Sequence, residues 1–139
     1  MKRALLGILA VSALLITGLT SCEKVKDALA QKQIEGKWQM QSAIGNYTVL
    51  GENYRDTTYF TADDYVQFNA DSTVTIHEDG ETASGKWSLI DDKLHITETD
   101  YLDYPNGFEI RTLTNAKLEL FYTEQNQIGT SEQTLILVK

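Results

Sequence analysis

The chain predicts an all-β fold, an eight-stranded antiparallel up-and-down barrel, preceded by a signal peptide and a short helix. Three observations carry that prediction. Apolar residues alternate with polar ones through Asp64–Thr97, at Val66 and Phe68, Val74 and Ile76, Trp87 and Leu89, and Leu94 and Ile96. A period of two puts each pair on one face of a strand. Turn-forming residues separate the pairs, at Asn69-Ala70-Asp71-Ser72, Glu78-Asp79-Gly80-Glu81 and Asp91-Asp92. Further strand patterns flank this meander in sequential order with short links. That order favours a closed barrel over a sandwich, and closure leaves no exposed sheet edge.

In chain order, residues 1–21 come first. Lys2 and Arg3 precede an apolar run from Ala4 to Leu19, short for a spanning helix, and Leu19-Thr20-Ser21-Cys22 follows. A basic start, a short apolar run and small residues before a cut site describe a secretory signal peptide. Leu-Thr-Ser-Cys resembles the lipobox of bacterial lipoproteins. The resemblance implies cleavage before Cys22, diacylation of its sulfur by chains such as palmitate, and acylation of its amine. Several acyl chains, at about 0.8 kcal/mol per buried CH₂, hold a protein on a membrane. The expected address is the outer membrane of a cell envelope, on its periplasmic or its surface face. Cys22 is the single cysteine, so the chain has no intrachain disulfide and no cysteine metal cluster.

Residues 22–35 are expected to be the lipidated cysteine and a short helical tether. Glu23–Glu35 lacks proline and glycine, places Val25, Ala28 and Leu29 on one face, and meets Gly36 just past its end. The helix is either a spacer or a cap on one end of the β-structure. Residues 36–139 form the barrel domain. Lys37–Ala43 reads as the first strand, with Trp38 and Met40 inward. Tyr47–Leu50 and Thr57–Thr61 read as weak strands joined by a loop. After the meander, Tyr104-Pro105-Asn106-Gly107 is a turn with proline at its second position and glycine at its fourth. Phe108–Leu113, Lys117–Thr123 and Glu132–Val138 are the remaining strands, with a polar loop over Glu124–Ser131.

The chain carries 20 acidic residues against 12 lysines and arginines, and removing residues 1–21 takes the formal charge from −8 to −10. Such a domain repels phosphate backbones and anionic headgroups. Nucleic-acid binding is therefore not expected, nor membrane docking beyond the anchor.

Gly36-Lys37-Trp38 resembles the glycine-x-tryptophan motif that opens the first strand of lipocalins. Phe68-Asn69-Ala70-Asp71-Ser72-Thr73-Val74, Ser84-Gly85-Lys86-Trp87-Ser88-Leu89 and Asp91-Asp92-Lys93-Leu94 add a resemblance to lipocalin-like lipoprotein domains of Bacteroidetes, over roughly Ile34 to Lys139. The resemblance implies a meander barrel whose first tryptophan, here Trp38, packs under a basic residue near the barrel's end. Arg111, the only arginine in the second half, lies two strands before that end and leaves the partner open.

Nothing in the sequence points to catalysis, so an enzyme is not expected and no cofactor or metal is assigned. His77 and His95 fall on outward faces with a strand between them, and no nucleophile–base pair stands out. The acidic turns lack the spacing of a calcium loop. Gly85, inside a strand, marks a bulge or kink.

The expected function is non-catalytic binding of a small apolar or amphipathic ligand. The candidate residues are Tyr47, Tyr54, Tyr59, Phe60 and Tyr65, whose large rings and polar tips suit the rim of a ligand mouth or a protein interface. The alternative is a structural or interaction module with a filled barrel and an envelope protein as partner. An empty void of about 300 Å³ would cost roughly 7 kcal/mol, comparable to a small domain's whole stability. The interior is thus packed, or it opens at one end. The bulk of the inward residues favours a narrow, mostly filled barrel with a shallow site.

Overall fold

The computed structural model describes residues 20–139, with side chains from Lys26 onward. Residues 1–19 of the expected signal peptide and the side chain of Cys22 lie outside the described residues. The elements are α1 (Thr20–Ile34), β1 (Gly36–Val49), β2 (Glu52–Tyr59), β3 (Tyr65–Phe68), β4 (Thr73–Glu78), β5 (Glu81–Ile90), β6 (Lys93–Thr97), β7 (Phe108–Leu113), β8 (Lys117–Asn126) and β9 (Gly129–Val138).

The strands follow the order β2-β1-β3-β4-β5-β6-β7-β8-β9, and β1 pairs back onto β9 to close the sheet. β2 and β3 share one edge of β1: β2 lies along Ser42–Val49 and β3 along Gly36–Gln39. They are two halves of a single wall strand, interrupted at Phe60–Asp64. The closed barrel therefore has eight antiparallel walls, as the alternation predicts. Val66, Phe68, Val74, Ile76, Leu94 and Ile96 are all at most 1% exposed, and Trp87 is 3% exposed.

Asp64 holds the interruption in place. Its carboxylate accepts hydrogen bonds from Thr61 N (2.7 Å), Thr61 Oγ1 (2.8 Å) and Asp79 N (3.0 Å). Its carbonyl accepts from Met40 N at 2.9 Å, so the chain regains its place on β1. The carboxylate is thus buried with its bonds satisfied, which is the condition for tolerating a charge inside.

The two weak strands expected around a loop are instead one arm. β1 runs unbroken to Val49 and returns as β2 through Leu50-Gly51, at φ 52° and 86°, the geometry of a tight hairpin turn. The Glu124–Ser131 loop is likewise strand up to Asn126 and again from Gly129. Both errors have one cause. β2-β1-β9-β8 rises beyond the core as a blade, and β2 and the upper part of β8 meet water on both faces. No apolar period marks a strand that buries neither face.

α1 closes the lower end of the barrel. Ala28 is exposed and Leu29 is 66% exposed, so the expected apolar face is not the docking face. The contact is the last turn: Ile34 is fully buried in the core, and Trp38 Nε1 donates to its carbonyl at 2.6 Å. Lys26 pairs with Asp92 at 3.6 Å across the β5–β6 turn. The helix is a cap, held at its final turn.

The basic partner of Trp38 is Lys139. Its Nζ sits 4.2 Å from the tryptophan ring centre and donates to Gln33 O (3.2 Å) and Glu35 O (3.1 Å) at the end of α1. A cation there answers both the ring face and the carbonyl end of a helix. Arg111 lies over Phe121, at 3.3 Å from the ring centre. Gly85 makes no bulge, since the β4–β5 register is regular. Its bare face instead admits the backbone of Thr97 and the side chain of Thr99, whose Cβ would lie 3.1 Å from an added methyl group.

Candidate functional site

The meander sorts its connections to two ends. Turns β3–β4, β5–β6 and β7–β8 join α1 at the closed end. The β1–β2 hairpin, the Phe60–Asp64 interruption, the β4–β5 turn, the 98–107 loop and the β8–β9 turn gather at the other.

That open end holds a cavity of about 220 Å³ between the blade and the 98–107 loop. Met40, Ala43, Phe60, Leu102, Phe108 and Leu135 give it apolar walls. Thr58, Gln133, Thr134 and Glu78 supply its polar groups. Tyr104 roofs it. The Tyr104 ring stacks on Tyr122 at 3.9 Å and meets the edge of Phe108 at 5.0 Å, while its hydroxyl bonds Gln133 Oε1 at 3.3 Å. Burial, then the neighbouring Tyr122, raises the Tyr104 hydroxyl's pKa, which keeps it a donor.

Glu78 is half-buried at the lip, and no other described residue gives its carboxylate a hydrogen bond or an ion pair. Its pKa is raised, first by burial and then by Asp79 and Asp64. Asp64 moves the other way. The Thr61 amide lowers its pKa most, followed by the Thr61 hydroxyl, with smaller contributions from the Asp79 amide and His77. One carboxylate is thus satisfied and structural, while its neighbour is unpaired beside apolar space.

The five aromatic residues picked from the sequence do not converge on this cavity. Phe60 lines it. Tyr47 and Tyr54 are cross-strand partners on the blade. They border a polar groove of about 480 Å³ with Asn46, Asn53, Arg55 and Glu132. Tyr59 is 79% exposed. Tyr65 lies on the outer wall, with Lys37 Nζ 3.8 Å from its ring centre and the His77 ring tilted against it at 5.4 Å between centres. It borders a second polar hollow of about 500 Å³ with Asp63 and Asp79. These two hollows are larger than the mouth cavity, but they are open and walled by polar strand surface, which water fills well. The mouth cavity has the apolar walls and few polar groups typical of a small-molecule site.

Sequence reasoning missed Glu78, Leu102 and Tyr104 as site residues. The Tyr104-Pro105-Asn106-Gly107 turn was readable, but the inward packing of its tyrosine depends on Tyr122 and Phe108, from other strands. His77 and His95 stand on β4 and β6 with β5 between them, and among the described residues no group of three His, Cys, Asp or Glu side chains is placed to hold a metal ion.

Neither a curated protein nor a solved structure matches the chain. The family model for the lipocalin-like domain matches residues 34–120, from the buried Ile34 under Trp38 to Leu120 on β8. With more than half of its length matched, a closed eight-walled meander, and a first-strand tryptophan beneath a lysine, the chain belongs to the lipocalin-like domain family.

Proposed function

We propose that this protein is a non-catalytic binding module that takes a small apolar or amphipathic ligand at the open end of its barrel. One observation carries the reading: the apolar cavity of about 220 Å³ beneath Tyr104, walled by Met40, Phe60, Leu102 and Phe108. At about 30 Å³ per water-sized group, it accommodates roughly seven such groups, which sets a small ligand. In this reading the chain is a lipoprotein, lipid-anchored through Cys22 to the outer membrane of a cell envelope, and it is not an enzyme. The lipobox-like Leu19-Thr20-Ser21-Cys22 supports the anchor.

Native mass spectrometry of the full chain after exposure to lipid and metabolite extracts tests the ligand. A retained mass at one-to-one stoichiometry, lost in Ala43→Trp, supports the cavity. A clean ligand-free mass with several extracts rejects it. Cys22→Ser tests the anchor separately: the variant should leave the membrane fraction, and unchanged retention would exclude lipidation as the attachment.

The second reading is an interaction module of the envelope with no ligand. It rests on β2, whose outer edge pairs with no other strand among the described residues and which presents Tyr54 and Tyr59 at 58% and 79% exposure. Crosslinking from Tyr59 in intact cells distinguishes it, since a specific protein adduct is expected there and nowhere at the cavity.

A further inference from the structure

The ligand-binding reading can be taken further, to the charge of the ligand. Acidic side chains crowd the open end. Asp56 stands on the blade, Asp63 on the interruption, Asp79 on the β4–β5 turn, Asp100 and Asp103 on the 98–107 loop, and Glu124 and Glu132 on the β8–β9 arms. Among the described residues, Arg55 is the cation of the blade, Lys37 borders the outer hollow that Asp63 and Asp79 share, and Lys86 on the wall is already paired with Glu98 at 2.8 Å. At the closed end, by contrast, Lys26, Lys32, Lys93, Lys117 and Lys139 alternate with acids, and several are paired. The molecule's negative charge therefore lies around its mouth. Clefts lined by one sign of charge, with low-dielectric walls, focus the field on what enters them.

Glu78 brings that field into the cavity. It is the one charged side chain lining the space, it sits among Met40, Phe60, Leu102 and Phe108, and it has no partner among the described residues. Asp64 and Asp79 add to its negative field from the neighbouring outer hollow, which also holds Lys37 and His77, and no cation lines the cavity itself to neutralise it. A carboxylate ligand would meet two or three like charges. A neutral one would leave Glu78 unpaired. A cation would satisfy it.

Resting on the ligand-binding reading, we propose that the cavity takes a small organic cation with an apolar body: an ammonium group on a short alkyl chain or a single aromatic ring. The apolar part fills the space beneath Tyr104. The ammonium donates to the Glu78 carboxylate in the field of Asp64 and Asp79.

The test uses three probes of one shape on the full chain: 2-phenylethylamine, 2-phenylethanol and 3-phenylpropanoate. Each is titrated by calorimetry and by amide chemical shifts. The amine should bind about tenfold more tightly than the alcohol, and the carboxylate more weakly than both. Glu78→Gln should bring the amine to the alcohol's affinity, with shifts still mapping to Phe60 and Leu102. Asp79→Asn, which leaves the cavity lining intact and keeps a residue suited to its positive φ, should cost the amine a smaller factor. If the three probes bind equally, or Glu78→Gln leaves the amine unchanged, the charge inference is overturned while the cavity stands. If none of the three shifts the cavity residues, the ligand-binding reading falls with it.

Discussion

At the scale of single residues, two neighbouring carboxylates have opposite effects on stability. The folded-state pKa of Asp64 is lowered from its ordinary 3.8. Above that range the group is ionised in both the folded and unfolded chain, and its hydrogen bonds contribute in full. As pH falls through the folded value the proton binds and the contribution is lost. Asp64→Asn should therefore unfold more easily than the wild type at neutral pH, and the gap should close as pH drops below about 4. Denaturant melts over a pH series check it. Glu78 is raised from its ordinary 4.5, so ionising it opposes folding at neutral pH. Glu78→Gln should be the more stable protein at pH 7 and should lose that advantage below about pH 4. Lys139→Ala removes two hydrogen bonds to the end of α1 and the cation over Trp38. Each of the cation–π and helix-terminus contributions is typically about 0.5–1 kcal/mol, so a loss of about 1–2 kcal/mol is expected in equilibrium unfolding.

At the scale of elements, the turns decide the wall. Asp79-Gly80 and Asp91-Asp92 have both central residues at positive φ, the form whose twist matches the strands on either side, and both were visible as turn residues in the sequence. Leu50-Gly51 adopts the same form, but a leucine does not announce a left-handed position, and so the tight turn was missed and the arm was read as two weak strands joined by a loop. Gly107 shows how a loop is fixed to its strand. It sits at φ 66°, and a methyl group there would lie 2.7–2.9 Å from three atoms of the His95 ring. Gly107→Ala should cost about 1–2 kcal/mol for the backbone alone, and more for the clash. In a double-mutant cycle, His95→Ala should return the second part and leave the first. Full additivity would show that the ring is not what excludes the methyl. Since this turn positions Tyr104 and Phe108, Gly107→Ala is also expected to loosen the roof of the cavity.

At the scale of the whole molecule, the core could be read from the sequence and the two ends could not. Val66, Phe68, Val74, Ile76, Leu94 and Ile96 announce their face by alternation, because one side of each strand is buried. The blade, the Lys139–Trp38 contact and the Tyr104 roof arise from segments far apart in the chain, and no local period encodes them. The difference should appear as dynamics. Amides in the lower β1–β9 seam, near Met40 and Leu137, pack on the core and should exchange hydrogen only on global unfolding. Those near Thr48 and Thr130 in the blade should exchange through local opening. A single uniform protection factor along β1 would contradict that division. The seam also sets an order in time. Gln39 pairs with Val138, so the first wall strand waits for nearly the whole domain to be synthesised. At roughly 5–20 residues per second, the hundred residues between them take about 5–20 s to emerge. Contacts this distant in sequence are slow to form. Until they form, β1 has an unpaired edge and Trp38 lacks the lysine that covers it. The chain is therefore open through synthesis, and it becomes a barrel only after its last strand is free.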